Sequence, residues 1–170
     1  KPILTPRFVP TCSTDLMEGL GALQKQYRLP VQSHLSENPS EVDWVRQLHP
    51  WSSCYGDVYD HFGLFGAKSG TNCPAIMAHC VYSSKEEIQR LKQNSVYIAH
   101  CPQSNTNLSS GIAPIRRYLE QGLLVGLGTD LAGGANLSMF RCITDAVAVS
   151  KLYWRLVDSS AKPLTMEEGF

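Results

Sequence analysis

Short apolar runs alternate along the chain with stretches whose apolar residues recur every third or fourth position, and the two periods mark different elements. ILTPR, at positions 3 to 7, reads as a strand. A helix follows from Ser13 or Thr14, with Leu16, Leu20, Leu23 and Tyr27 on one face, and Leu29-Pro30 ends it. VQSH is the next strand; Asn38-Pro39 makes a turn, and Ser40 caps a helix that buries Val42, Val45 and Leu48. In WSSCYGDVYDHFGLFGAKSGTNC a short helix around Val58 to Phe62 precedes a glycine-rich loop. AIMAH is a strand, and Ser84 to Glu87 has capping-box spacing at the start of a helix carrying Ile88 and Leu91. VYIAH repeats the apolar run. APIRRYLEQG is then a helix with Gly122 at its C′ position, LLVGLGTD a strand, and SMFRCITDAVAVSKLYWRL the longest helix.

Strand and helix alternate at spacings too long for hairpins, which predicts an α/β fold with a parallel sheet built from right-handed crossovers. Such folds place their chemistry at the carboxyl ends of the strands. Those ends carry Arg7, His34, His79, His100 and Asp130, all able to ligate, polarise or move protons.

Composition narrows the partners. The 170 residues suffice for one domain with a substantial core, and 15 basic against 15 acidic side chains leave no net charge. The basic residues form no stripe, so nucleic acid and anionic membrane are excluded in favour of a small neutral partner. No apolar run approaches the roughly 20 residues needed to span a bilayer, and KPILTPRFVP lacks the pattern of a secretory signal. Six cysteines without a CxxC pair read as reduced thiols of a cytoplasmic enzyme. Thr165 and Glu168 form a second capping box about one turn before the last residue, which points to a fragment of a longer chain.

If the sheet closes into a barrel, its strand ends converge on one mouth, and His34, His79 and Asp130 meet there. Imidazole and carboxylate suit a borderline cation such as zinc. Glu37 has the reach to contact a water beside that cation without ligating it. Each residue also has a bland reading. A lone histidine ending an apolar run is more often hydrogen-bonded structure than ligand, Glu37 is equally a solvated loop carboxylate, and Asp130 equally an N-cap before LAGGANLS. Arg7 is an ordinary strand-end arginine or, between Pro6 and Phe8, part of a pocket wall. His49 and His61 fit no comparable pattern and read as structural or exposed. Gly126, Gly128, Gly133 and Gly134 do not match a dinucleotide or P-loop spacing.

Five stretches in order, TPRF (5–8), QSHLSEN (32–38), MAHC (77–80), IAHCPQSN (98–105) and GLGTDLAGG (126–134), resemble the guanine deaminase branch of the metal-dependent amidohydrolase superfamily. The resemblance implies a distorted TIM-like (β/α)₈ barrel with a smaller β-sandwich from the chain ends. Residues 1–170 would be a fragment of a single amidohydrolase catalytic barrel domain, roughly strands 4 to 8 with their helices. TPR would close the fourth strand, QSH the fifth, MAH the sixth, IAH the seventh and GTD the eighth. By the same resemblance His34 and Asp130 match zinc ligands, His79 the histidine that contacts the activated water, and Glu37 the proton shuttle. Arg7 and Phe8 match the pair that holds a purine, with His34, Glu37 and Asp130 also lining its site. The family's first-strand His-x-His motif is nowhere in the sequence, so the ligand set is incomplete here and the isolated fragment is expected to be inactive.

The activity implied for the intact protein is hydrolysis of guanine to xanthine and ammonia in purine catabolism, by a cytoplasmic homodimer. Two alternatives stay open. One is a related aminohydrolase acting on a pterin, a triazine or an adenosine derivative; the other is a non-catalytic paralogue or binding module on the same scaffold.

Overall fold

The computed structural model describes residues 2–66 and 73–170. Most of the predicted glycine-rich loop, positions 67–72, lies outside the described residues. Four strands, β1 (Val31–Leu35), β2 (Ala75–His79), β3 (Tyr97–His100) and β4 (Leu124–Leu127), form one sheet in the order β1-β2-β3-β4. Every neighbouring pair is parallel. The connections carry helices α2 (Pro39–Leu48), α3 (Tyr55–His61), α4 (Lys85–Gln93), α5 (Pro102–Asn107) and α6 (Ile115–Glu120). Helix α1 (Thr14–Tyr27) precedes the sheet and α7 (Met139–Leu156) follows it. Among the described residues no helix is long and apolar enough to cross a membrane, and Cys12, Cys54, Cys80, Cys101 and Cys142 are free thiols.

ILTPR does not form the predicted strand. Only Leu4 bridges to Val31, donating its N–H to Pro30 O at 2.9 Å and accepting from Gln32 N at 2.9 Å. Pro2 and Pro6 have no N–H to continue a ladder on either side.

Helix α1 starts where predicted, with Ser13 Oγ accepting from Leu16 N at 3.2 Å. Its buried face differs from the predicted stripe. Leu16, Leu23 and Tyr27 are exposed, while Met17 and Gln24 are buried. Gly21 lies between those two at helical spacing, so close to the loop after α3 that a Cβ there would sit 2.2 Å from Phe62 O. The inward stripe is therefore Met17, Gly21 and Gln24, set by close backbone approach, which a count of large apolar residues misses.

Asn38, not Ser40, caps α2. Its Oδ1 accepts from Glu41 N at 3.0 Å, and Pro39 takes the first turn, where a missing N–H costs nothing. Val45 is buried and Val42 partly so, but Leu48 is exposed. Ser84 caps α4 as expected, accepting from Glu87 N at 3.2 Å. The Glu87 carboxylate turns inward instead, taking hydrogen bonds from Ser36 Oγ and Gly56 N, each at 2.7 Å. Gly122 follows α6 with φ 74°, the left-handed conformation of a C′ glycine. At the other predicted box, Thr165 and Glu168 cap each other reciprocally, at 2.8 and 3.2 Å.

The strand register divides the sheet into two faces. Val31, Ser33, Leu35, Ala75, Met77 and Ile98 are buried; their apolar members share one core with Val58 and Tyr59 of α3, Leu91 of α4, Tyr118 of α6 and Ala146 of α7. The opposite face carries Gln32, His34, Ala78, Ala99 and Gly126 in register, with Tyr97 and Leu124 exposed.

Candidate active site

The carboxyl ends of the strands leave the sheet through a series of left-handed residues. Ser36, His79, Cys80 and Asp130 have φ of 47°, 74°, 48° and 45°. Ser36 ties the first two exits together, because its carbonyl accepts from Val81 N and Tyr82 N at 3.0 and 2.9 Å while its hydroxyl donates to Glu87. The third and fourth strand ends are joined by Gly128 N donating to His100 O at 2.9 Å.

His34 lies on the open face at the end of β1, and its Nδ1 donates to Arg7 O at 2.5 Å. Strand alternation puts His79 on the other face, opposite Leu35. Its positive φ breaks that alternation and brings the ring over His34, the two imidazoles stacking with centroids 5.2 Å apart and planes 18° from parallel. His79 Nδ1 is 2.8 Å from Asn105 Oδ1, so its other nitrogen, Nε2, is the one facing the site. Among the described residues that buried atom has no hydrogen-bond partner; it lies 3.7 Å from Glu37 Oε2 and 3.9 Å from Asp130 Oδ2.

Asp130 reaches the same point from the loop after β4. Gly134 N donates to Asp130 O at 2.6 Å, closing a tight turn. Added Cβ atoms would lie 2.8 Å from Asp130 Oδ2 at Gly133 and 2.1 Å from Thr129 O at Gly134. The glycines of GLGTDLAGG thus let the chain fold back against the carboxylate, which explains them without a phosphate.

Glu37 is held from two sides. Its Oε1 accepts from Ser110 Oγ at 2.9 Å, and its N–H donates to the buried Glu41 carboxylate at 3.2 Å. Burial, the largest influence, holds the Glu41 carboxyl above the usual carboxylate range. Beside His34, Phe8 packs edge-on at 6.4 Å and the Arg7 guanidinium lies 5.3 Å over the Phe8 ring. The six residues that the resemblance assigned to the site, Arg7, Phe8, His34, Glu37, His79 and Asp130, are therefore neighbours.

His100, the remaining strand-end histidine, is outside this group. It is buried with neither ring nitrogen hydrogen-bonded among the described residues, and desolvation, reinforced by His79, pushes its pKa down to about 3, so it stays neutral. His49 and His61 flank Trp51 at 5.6 and 4.5 Å, as structural a setting as their sequence context suggested.

One ligand atom each from His34, His79 and Asp130 lies within 4.8 Å of the others. Both imidazoles use Nδ1 internally, the third donor is a carboxylate oxygen, and His79 Nε2 is buried with no hydrogen-bond partner among the described residues. That donor set fits a divalent cation. Sequence reasoning did not single out Asn105, Ser110 or Glu41. Asn105 lies within the quoted IAHCPQSN, but nothing local signals that its partner is 26 residues away.

Two imidazoles and two carboxylates are thus gathered at the carboxyl ends of parallel strands, where (β/α) barrels place their chemistry, and three of them form a donor set for a divalent cation. The chain belongs to the amidohydrolase family, which it matches over residues 1–167. It is 41% identical over its whole length to guanine deaminase of Dictyostelium discoideum, and 42% identical to the human guanine deaminase. A crystal structure of guanine deaminase from C. acetobutylicum with bound guanine in the active site superposes with a TM-score of 0.94 at 52% identity, covering 99% of this chain and 39% of that one. The E. coli enzyme gives 0.81 at 35% identity, covering 88% and 34%. The chain spans 36% of the length of the Dictyostelium and human relatives. The fold is accordingly part of an amidohydrolase barrel, with Leu4 marking where the predicted fourth strand contributes a single bridge.

Proposed function

We propose that the intact protein, of which these residues form part of the catalytic barrel, hydrolyses guanine to xanthine and ammonia. The observation that carries the proposal is the convergence of His34, His79, Asp130 and Glu37 on one point, in a chain 52% identical to a guanine-bound relative. His34 and Asp130, with His79 beside them, would hold a divalent cation such as zinc, which when bound supplies the Lewis acidity that brings deprotonation of water within reach of neutral pH.

The remaining chemistry belongs to side chains of this chain. Asp130 and His79 orient the attacking water on its path to the ring carbon that bears the amino group. Glu37 takes a proton from that water through Oε2 and passes it to a ring nitrogen. When the C–N bond of the tetrahedral carbon breaks, its hydroxyl proton passes through the freed Glu37 carboxylate to the departing amine, which leaves as ammonia while the carbon becomes the new carbonyl of xanthine. The Ser110 hydroxyl on Oε1 keeps the other oxygen free for this work. Arg7 donates to an acceptor on the purine, its carbonyl oxygen, and Phe8 offers an apolar face to the flat ring.

In the intact protein Glu37→Gln is expected to retain metal and guanine while losing turnover by about 10²- to 10⁴-fold, the usual worth of a positioned acid–base group. Near-normal ammonia release by that variant removes Glu37 from its role. The proposal extends to a cytoplasmic homodimer in purine catabolism and to inactivity of residues 1–170 alone, whose sequence contains no His-x-His.

One observation favours a second reading. The chain is also 34% identical over 174 residues to a 5′-deoxyadenosine deaminase of Methanocaldococcus jannaschii. A panel of guanine, pterin, triazine and adenosine derivatives assayed for ammonia release separates the two.

A further inference from the structure

Four groups converge on the candidate centre, but one residue outside it touches the supports of two of them. Asn105, in the last turns of α5, is 1% exposed. Its Oδ1 lies 2.8 Å from His79 Nδ1. Its backbone carbonyl accepts from Ser110 N at 2.8 Å, and Ser110 Oγ in turn donates to Glu37 Oε1 at 2.9 Å. We infer that Asn105 is a positioning residue of the reaction, fixing the His79 ring with its proton on Nδ1 and anchoring the turn that aims Glu37 Oε2 at the same point. The inference rests on the deaminase reading only for what the aligned groups accomplish.

The physics favours this orientation of the amide. His79 Nε2 faces two carboxylate oxygens and the candidate cation position. Whether it carries a lone pair for ligation or a proton for transfer, Nδ1 is the nitrogen that must hold the structural hydrogen, and a carbonyl oxygen is the acceptor it needs. A charged acceptor would add a third carboxylate beside Glu37 and Asp130; a neutral amide fixes the tautomer without doing so. The buried Nδ2 of Asn105 has no hydrogen-bond partner among the described residues, so the amide is placed for the bond on its oxygen rather than for complete satisfaction of its polar atoms.

The test uses the intact protein labelled with ¹⁵N-histidine, alongside Asn105→Asp and Asn105→Leu. Wild type and Asn105→Asp, which keeps an acceptor at the same reach, are expected to show His79 protonated at Nδ1. Asn105→Leu is expected to lose that preference, with kcat for ammonia release falling about 10- to 100-fold, the usual effect of losing such a supporting bond, and KM within about threefold. An unprotonated Nδ1 in wild type overturns the inference without any variant, which keeps it testable if the leucine protein fails to fold. An unchanged tautomer in a folded Asn105→Leu overturns it as well. If wild type releases no ammonia from guanine, the substrate reading fails, and the nitrogen spectrum still decides the role of Asn105.

Discussion

A methyl group added at Gly133 tests whether the carboxylate of Asp130 must sit where it does. The backbone of Gly133 lies outside the left-handed region, so alanine meets no torsional penalty. Its Cβ would stand 2.4 Å from Ser104 Oγ and 2.8 Å from Asp130 Oδ2, where ordinary contacts need about 3.5 Å. Each neighbour must retreat by roughly 1 Å. Ser104 is fully buried, but its hydroxyl has no hydrogen-bond partner among the described residues to lose. Asp130 is 30% exposed and can swing outward, away from His79. Overpacking of this kind costs about 1–3 kcal/mol, partly offset by about 0.4–1 kcal/mol because alanine restricts the unfolded chain. The net loss of stability is then about 1–2 kcal/mol. A misplacement near 1 Å at reacting groups costs about 10²-fold in rate. Gly133→Ala in the intact protein should therefore lose about 100-fold in kcat/KM under conditions where it is still fully folded, its denaturation midpoint falling only by the shift that about 1–2 kcal/mol produces. Activity within about threefold of wild type would refute the idea that Gly133 exists to admit the carboxylate. So would a loss of activity that merely follows unfolding.

Two further outcomes test the supporting structure. Glu87→Leu removes the acceptor for Ser36 Oγ and the buried Gly56 N–H, and should destabilise the chain by about 1–3 kcal/mol for each donor left unpaired, read as a shift in urea midpoint; a neutral result would mean that other groups satisfy those donors. Hydrogen bonds from Arg116 hold Glu168 down to about 2, below its ordinary 4.5. A lowered acid pKa gives stability that is complete above the unfolded value and lost as pH falls toward the folded one. Urea stability measured from pH 5 down to pH 3 should therefore fall more steeply in wild type than in Glu168→Gln, with the effect reduced by solvent at this partly exposed pair; parallel curves would contradict the assignment.

The legible part of the molecule was the part that speaks locally. β1 to β4, the start of α1, the α4 cap and the C′ glycine at 122 each rest on a few adjacent residues, and the strand-end rule then gathered His34, His79 and Asp130. What escaped depended on tertiary approach. The inward face of α1 turns on Gly21 meeting the Phe62 carbonyl, which no scale of hydrophobicity registers. ILTPR has the composition of a strand, but Pro6 within it and Pro2 just before it withhold the hydrogen bonds that would make one. Asn38 outranks Ser40 as a cap because Pro39 fits the first helical turn. Ser110 and Glu87 matter through partners 73 and 51 residues away, and nothing in the residues beside them names those partners.

The left-handed backbone of His79 also bears on how such a chain could be improved or lost. An imidazole at that angle carries strain of about 1–3 kcal/mol, and asparagine or glycine would occupy the position more comfortably. Selection for thermal robustness alone would discard this histidine early. A histidine at such a spot gives up backbone comfort for the place its ring takes beside His34, Glu37 and Asp130.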